Sequence, residues 1–283
     1  QGTSREQEGG APETSCSAPG SALGTLRAVG PWTSTRDTVS ETQKATQRVG
    51  QLLKARYCIE RVLHLDAQTC VYAGLDTKVA PQARVAIKLL LAQGADDRAL
   101  QDRFIQRGYL ANGVGHPSAV TVLDAGVSED GAAFLVTELF DAPTLEQLRE
   151  THGGKLPLRL ACAIVDQCLD MLTCAHPQQI IHGSLTPEHL FWTRGSQLKV
   201  LGFGAVELAP GANLAEARDA DLRAVAALGL WLVGGPDAAA MLPQSIRGVF
   251  DASSAGDWQS AEAMRRALWW AHRAELGSRI TAG

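Results

Sequence analysis

The sequence predicts a two-lobed α+β chain in which a small sheet-dominated lobe precedes a mostly helical one. Two observations carry this expectation. Before Asp141 apolar residues recur in short strand-like runs around one helical stretch, and after it they recur with the helical period. At 283 residues with 45% hydrophobic and 20% charged content, the chain is also long enough to bury a real core.

Residues 1 to about 36 are rich in Gly, Ser, Thr, Glu and Pro and too poor in apolar periodicity to offset the entropy of ordering. A weak helix is expected over 38–54, and residues 1–48 as a whole read as a low-complexity tail. The first lobe then covers 49–140. Its strands are predicted at 57–63, 69–75, 84–91, 119–126 and 132–138, with a helix at 97–112. The second lobe, 141–277, carries predicted helices at 144–150, 157–175, 219–234 and 260–276, interrupted by a strand pair near 190–201. Ser260 caps the last helix, Gly277 ends it, and 278–283 form a tail. There is no internal repeat.

Composition excludes several functions. With 26 basic and 30 acidic residues, net charge -4 and no Lys/Arg block, nucleic acid is not an expected partner. The longest apolar run, 224–235, is closed by Pro236 and Asp237 and is shorter than the roughly 20 residues that span a bilayer. No signal peptide is evident, and a chain opening on Gln1 instead of Met reads as a fragment or processed form. The six cysteines (16, 58, 70, 162, 168 and 174) form no CxxC pair and have no His at zinc-finger spacing. Buried free thiols in a reducing cytoplasm are expected, with no metal site.

Ordered motifs now add a family resemblance. Val85-Ala86-Ile87-Lys88 resembles the VAIK strand of bacterial Hanks-type Ser/Thr protein kinases, and Phe134–Glu138 the strand into their hinge. His116-Pro117 sits at the HPNIV position, residues 182–190 (HGSLTPEHL) at the HRDxKPxN loop, and Gly202-Phe203-Gly204 at the DFG turn. Asp221–Val225 resembles the start of the long central helix. The resemblance spans about four-fifths of the chain and implies a protein-kinase-like fold.

It also implies which chemistry is missing. Kinases cover the phosphates with a glycine-rich loop, pair the strand Lys with a helix Glu, and use a catalytic Asp, an Asn and the DFG Asp with magnesium. Here His64, Asp66 and Thr69 stand at the glycine positions, Arg107 at the helix Glu, Ser184 at the catalytic Asp, Thr186 at the loop Lys, His189 at the metal-binding Asn and Gly202 at the DFG Asp. A hydroxyl cannot serve as a carboxylate base near neutral pH, and two cations cannot form the Lys–Glu pair. The segment 205–220 is short, lacks APE and contains no Ser, Thr or Tyr; Asp257 replaces the Arg that pairs with the APE Glu.

The packing positions are retained. His182, Phe203 and Asp221 match the column that ties the loops to the central helix, and Val71, Ala86 and Phe191 match the adenine slot. A residual nucleotide pocket would comprise Val71, Ala86, Lys88, Glu138, Phe140 and Phe191. The expectation is a pseudokinase with no catalytic residues and no metal, working in the cytoplasm through a protein partner such as an active kinase or another signalling protein. Weak, metal-independent ATP contact is the residual cofactor reading. The alternatives are an atypical ATP-dependent kinase and a nucleotide-sensing switch, both using Lys88. One tryptophan of the adjacent pair Trp269 and Trp270 is expected to be buried and the other to point outward.

Overall fold

A six-stranded sheet, ordered β1-β2-β3-β4-β6-β5, organises the first part of the chain: β1 Leu52–Leu53, β2 Tyr57–Leu65, β3 Thr69–Asp76, β4 Ala83–Leu90, β5 Val122–Val127 and β6 Ala133–Glu138. The computed structural model describes residues 42–91, 97–204, 213–251 and 258–281. Two units result: residues 42–101 with 125–139, and 102–124 with the remainder from 140. Most of the expected tail and residues 205–212 and 252–257 lie outside the described residues.

In the first unit alternation puts one face of each strand inward. Tyr57, Ile59, Tyr72, Ile87, Leu89, Phe134 and Val136 form its core, with Tyr57 and Phe134 meeting edge-on at 6.4 Å. The helix expected over 38–54 is corrected at its end: among the described residues 42–47 are helical (α1), and the helix stops before Arg48. Leu52 and Leu53 instead pair with Cys58 and Tyr57, across a turn in which Lys54 and Ala55 take positive φ. Strand pairing of these leucines outweighs their weak helical periodicity.

The second unit is helical: most of α2 (Arg98–Val114), then α3 Leu145–Thr151, α4 Leu158–Ala175, α5 Leu214–Leu232, α6 Pro236–Ala239, α7 Gln244–Asp251 and α8 Ala261–Thr281, with the ribbon of β7 Leu190–Trp192 and β8 Leu198–Val200. Helix α4 is its axis, with Ile164, Val165, Cys168, Leu169, Met171 and Leu172 fully buried. A Leu→Ala change there would cost about 2–5 kcal/mol.

Three expectations are corrected here. Helix α5 begins at Leu214 instead of 219, because Asn213 caps it by accepting from Ala215 N. Helix α7 is an addition to the expected elements; Ile246, Val249 and Phe250 bury one face of it. Helix α8 does start after Ser260, whose hydroxyl accepts from Ala263 N at 3.1 Å, but it runs through Gly277 to Thr281. One glycine costs a helix only about 1 kcal/mol.

Trp269 and Trp270 correct a fourth, since both are exposed, at 49% and 63%. They stack edge-on at 4.8 Å, with Arg273 over Trp269, while Met264, Leu268 and Ala271 form the buried face. Cys70, Cys162, Cys168 and Cys174 are free, but Cys58 is disulfide-bonded, which corrects the expectation that all thiols are free. Among the described residues no helix is long and apolar enough to cross a membrane.

Candidate functional site

In the second unit three donors from two segments converge on Asp221 of α5. The backbone N–H groups of His182 and Gly183 donate to Asp221 Oδ2 and Oδ1, each at 2.9 Å, and His176 Nε2 reaches Oδ2 at 3.1 Å. Asp221 is 1% exposed, so these donors replace the water its carboxylate has lost. Arg218, one turn earlier, donates to His176 O at 2.8 Å and ties the same segment to the helix.

His182 is fully buried. Ser184 N donates to its Nδ1 at 3.2 Å, which leaves the ring proton on Nε2 to donate to Leu201 O at 3.1 Å. Burial pushes its pKa down to about 4, against the opposing pull of Asp221, so the ring is neutral at pH 7. The Phe203 ring packs on it at 4.8 Å. One frame thus holds both the loop 182–190 and the turn 201–204.

The chemical positions lie along the edge of that frame. Ser184 is half-buried. The Thr186 hydroxyl and the Ser184 carbonyl approach His189 Nδ1 at 3.1 and 3.2 Å, and His189 O accepts from Leu201 N at 2.9 Å. The Nδ1 side of the His189 ring therefore faces its own loop. Gly202 has φ +91°, a conformation that favours glycine, and a Cβ there would stand 3.9 Å from the His189 ring. At Gly204, φ +70°, a Cβ would collide with Leu110 Cδ1 and stand 3.8 Å from Arg107 Cβ. The turn thus lies against the face of α2 that carries Arg107, a cation.

The first unit carries the remaining positions. Strand register sets Val71 opposite Lys88 and Ala73 opposite Ala86, which puts Val71, Ala86 and Lys88 on one face; Glu138 pairs with Val85 and falls on the other. Lys88 keeps solvent access, yet crowding by protein atoms lowers its pKa against the opposing charge of Asp66. At the β2–β3 tip Asp66 Oδ1 accepts from Gln68 N at 2.8 Å and Thr69 N at 2.7 Å, and Oδ2 accepts from the Thr69 hydroxyl at 2.8 Å. Despite partial burial, these bonds and nearby His64 hold its carboxyl well below the usual range.

Comparison with known proteins places this geometry. No family model matches the chain. Over 170 residues, 58% of this chain and 39% of the relative, it is 30% identical to the serine/threonine-protein kinase PknA of Mycobacterium tuberculosis. Over 156 residues, 55% and 24%, it is 30% identical to the serine/threonine-protein kinase PrkC of Bacillus subtilis. It is a homologue of the bacterial Hanks-type Ser/Thr kinases. The chain spans less than half the length of these relatives. The crystal structure of the Mycobacterium tuberculosis PknI kinase domain superposes with TM-score 0.63 at 22% identity, covering 77% of this chain and 96% of that one. The fold is kinase-like.

Within that kinase-like fold the second unit brings Ser184, His189 and Gly202 to one loop cluster, with Gly204 of the same turn beside Arg107 of α2, and Phe140 meets Phe191 edge-on at 5.0 Å. The residues present do not fit a magnesium ion, because Gly202 has no side chain to coordinate it and the imidazole of His189 offers only nitrogen to a hard cation that takes oxygen ligands. Among the described residues no cluster of His, Cys, Asp and Glu is arranged to hold a metal. Sequence reasoning missed one participant and read another incompletely. His176 joins Asp221 across 45 positions with no local signal, whereas Asp66, read from the sequence only as standing at a glycine position, also occupies the amides of its own turn.

Proposed function

We propose that this chain is a kinase-like domain without phosphoryl-transfer activity that acts by binding another protein, such as an active kinase. One observation carries the reading. The loop that resembles the catalytic loop is built and anchored, yet Ser184, His189 and Gly202 supply neither the carboxylates nor the amide that the chemistry uses. The exposed pair Trp269 and Trp270 is a candidate contact surface, since large aromatics are common anchors in protein interfaces. A cytoplasmic location is supported by the free thiols and opposed by the Cys58 disulfide.

The test is incubation with labelled ATP and either magnesium or manganese, using the chain itself and generic protein acceptors. No label above background is expected. Stoichiometric labelling abolished by Lys88→Ala would establish the atypical kinase instead.

A further inference from the structure

The geometry points to Asp66 as an internal anion that takes the place of a ligand phosphate on the β2–β3 hairpin, so that its removal exposes an anion-binding face. This rests on the reading of the hairpin as the counterpart of the phosphate-covering loop.

Four groups converge on this one side chain. Two are backbone amides: the N–H groups of Gln68 and Thr69 both donate to Oδ1. The third is the Thr69 hydroxyl on Oδ2, and the fourth is His64 Nε2, 3.6 Å from the same oxygen. Turn amides and a hydroxyl aimed at one point make a concavity suited to an anion. The turn is closed at the backbone as well, with Asp66 N donating to Thr69 O and Leu91 N to Gln68 O. In the sheet, His64 lies opposite Val71 and Val71 opposite Lys88, so the three form one cross-strand row. The charge of Asp66 reaches Lys88. A lysine and a set of amides that could receive a polyphosphate are thus already served by a carboxylate of the same unit. The Asp66 side chain is 42% exposed, so the site lies open to solvent once the carboxylate is gone.

The test compares the full chain with Asp66→Asn, Asp66→Ala and Asp66→Ala/Lys88→Met, titrated without magnesium against inorganic tripolyphosphate, ATP and adenosine. The wild type should bind ATP and tripolyphosphate no more tightly than adenosine. Asp66→Ala should tighten both polyanions at least tenfold and change adenosine less than twofold, and adding Lys88→Met should reverse the gain. Gln68 and Thr69 amide exchange should accelerate at least tenfold in Asp66→Ala and slow again with tripolyphosphate. Asp66→Asn keeps one acceptor oxygen and should fall between; it decides the matter if the alanine variant does not fold. Unchanged polyanion affinity in a folded variant, or a gain indifferent to Lys88, would overturn the inference. Phosphate transfer by Asp66→Ala would instead count against the proposed function, and failure to bind anions would leave that function standing.

Discussion

The buried frame around Asp221 and the row of chemical positions beside it share one loop, yet differ in burial and in what folding asks of them. His176, His182, Phe203 and Asp221 are buried, and Asp221 alone satisfies three donors. Ser184, Thr186 and His189 are half-buried and Gly202 is exposed, so exchanging them leaves few buried polar groups without partners. Folding therefore constrains the frame and not the edge. An intact kinase-like scaffold is accordingly no measure of kinase chemistry.

The contrast breaks first, and most severely, at Asp221. Asp221→Ala leaves His182 N, Gly183 N and His176 Nε2 without their acceptor, and denaturant titration should show a loss of about 3–5 kcal/mol. A loss below about 1 kcal/mol would mean that the frame is not what holds the loop.

Acid tests the same frame through His182. Its folded pKa of about 4 lies below the unfolded value of about 6.5, so the unfolded chain takes up the proton first. The stabilisation is complete above pH 6.5 and falls as pH drops toward 4, by on the order of 3 kcal/mol. Urea midpoints measured across that window should decline in the wild type and flatten in His182→Gln.

At the edge the expected effects are small. Ser184→Ala should change stability by less than about 0.5 kcal/mol, in keeping with a side chain outside the frame. A cost near that of Asp221→Ala would erase the distinction. The Trp269→Ala/Trp270→Ala variant should likewise stay within about 1 kcal/mol of wild type, because the buried face of α8 is made by Met264, Leu268 and Ala271. Its effect should instead appear as reduced capture of a protein partner from the source cell.

Much of the framework is legible in the sequence because periodicity reports burial: β2, β3, β4, β6 and α4 all bury the residues whose spacing announces them. The departures are local. Asn213 followed three residues later by Glu216 is an N-cap pattern that marks the start of α5, a stronger signal than the apolar spacing that places it at 219. Ile246, Val249 and Phe250 give α7 an apolar face, but the helix is too short for that spacing to stand out from a loop. The tryptophan pair cannot be resolved from period alone, because Met264, Leu268 and Ala271 complete the buried stripe without either ring. At the site, the absence of a carboxylate can be read directly at 184 and 202. Contacts such as His176 with Asp221 cannot, since they depend on long-range packing.

Groups that would hold a metal–nucleotide pair are missing from the loop cluster, and the magnesium dependence of ATP binding addresses this most directly. Thermal-shift titrations of the full chain with ATP, with and without magnesium, should give weak affinities that agree within about twofold, because neither Gly202 nor His189 offers the ion a side-chain oxygen. Tightening by more than tenfold on adding magnesium would contradict this, showing that a carboxylate elsewhere in the chain holds the metal.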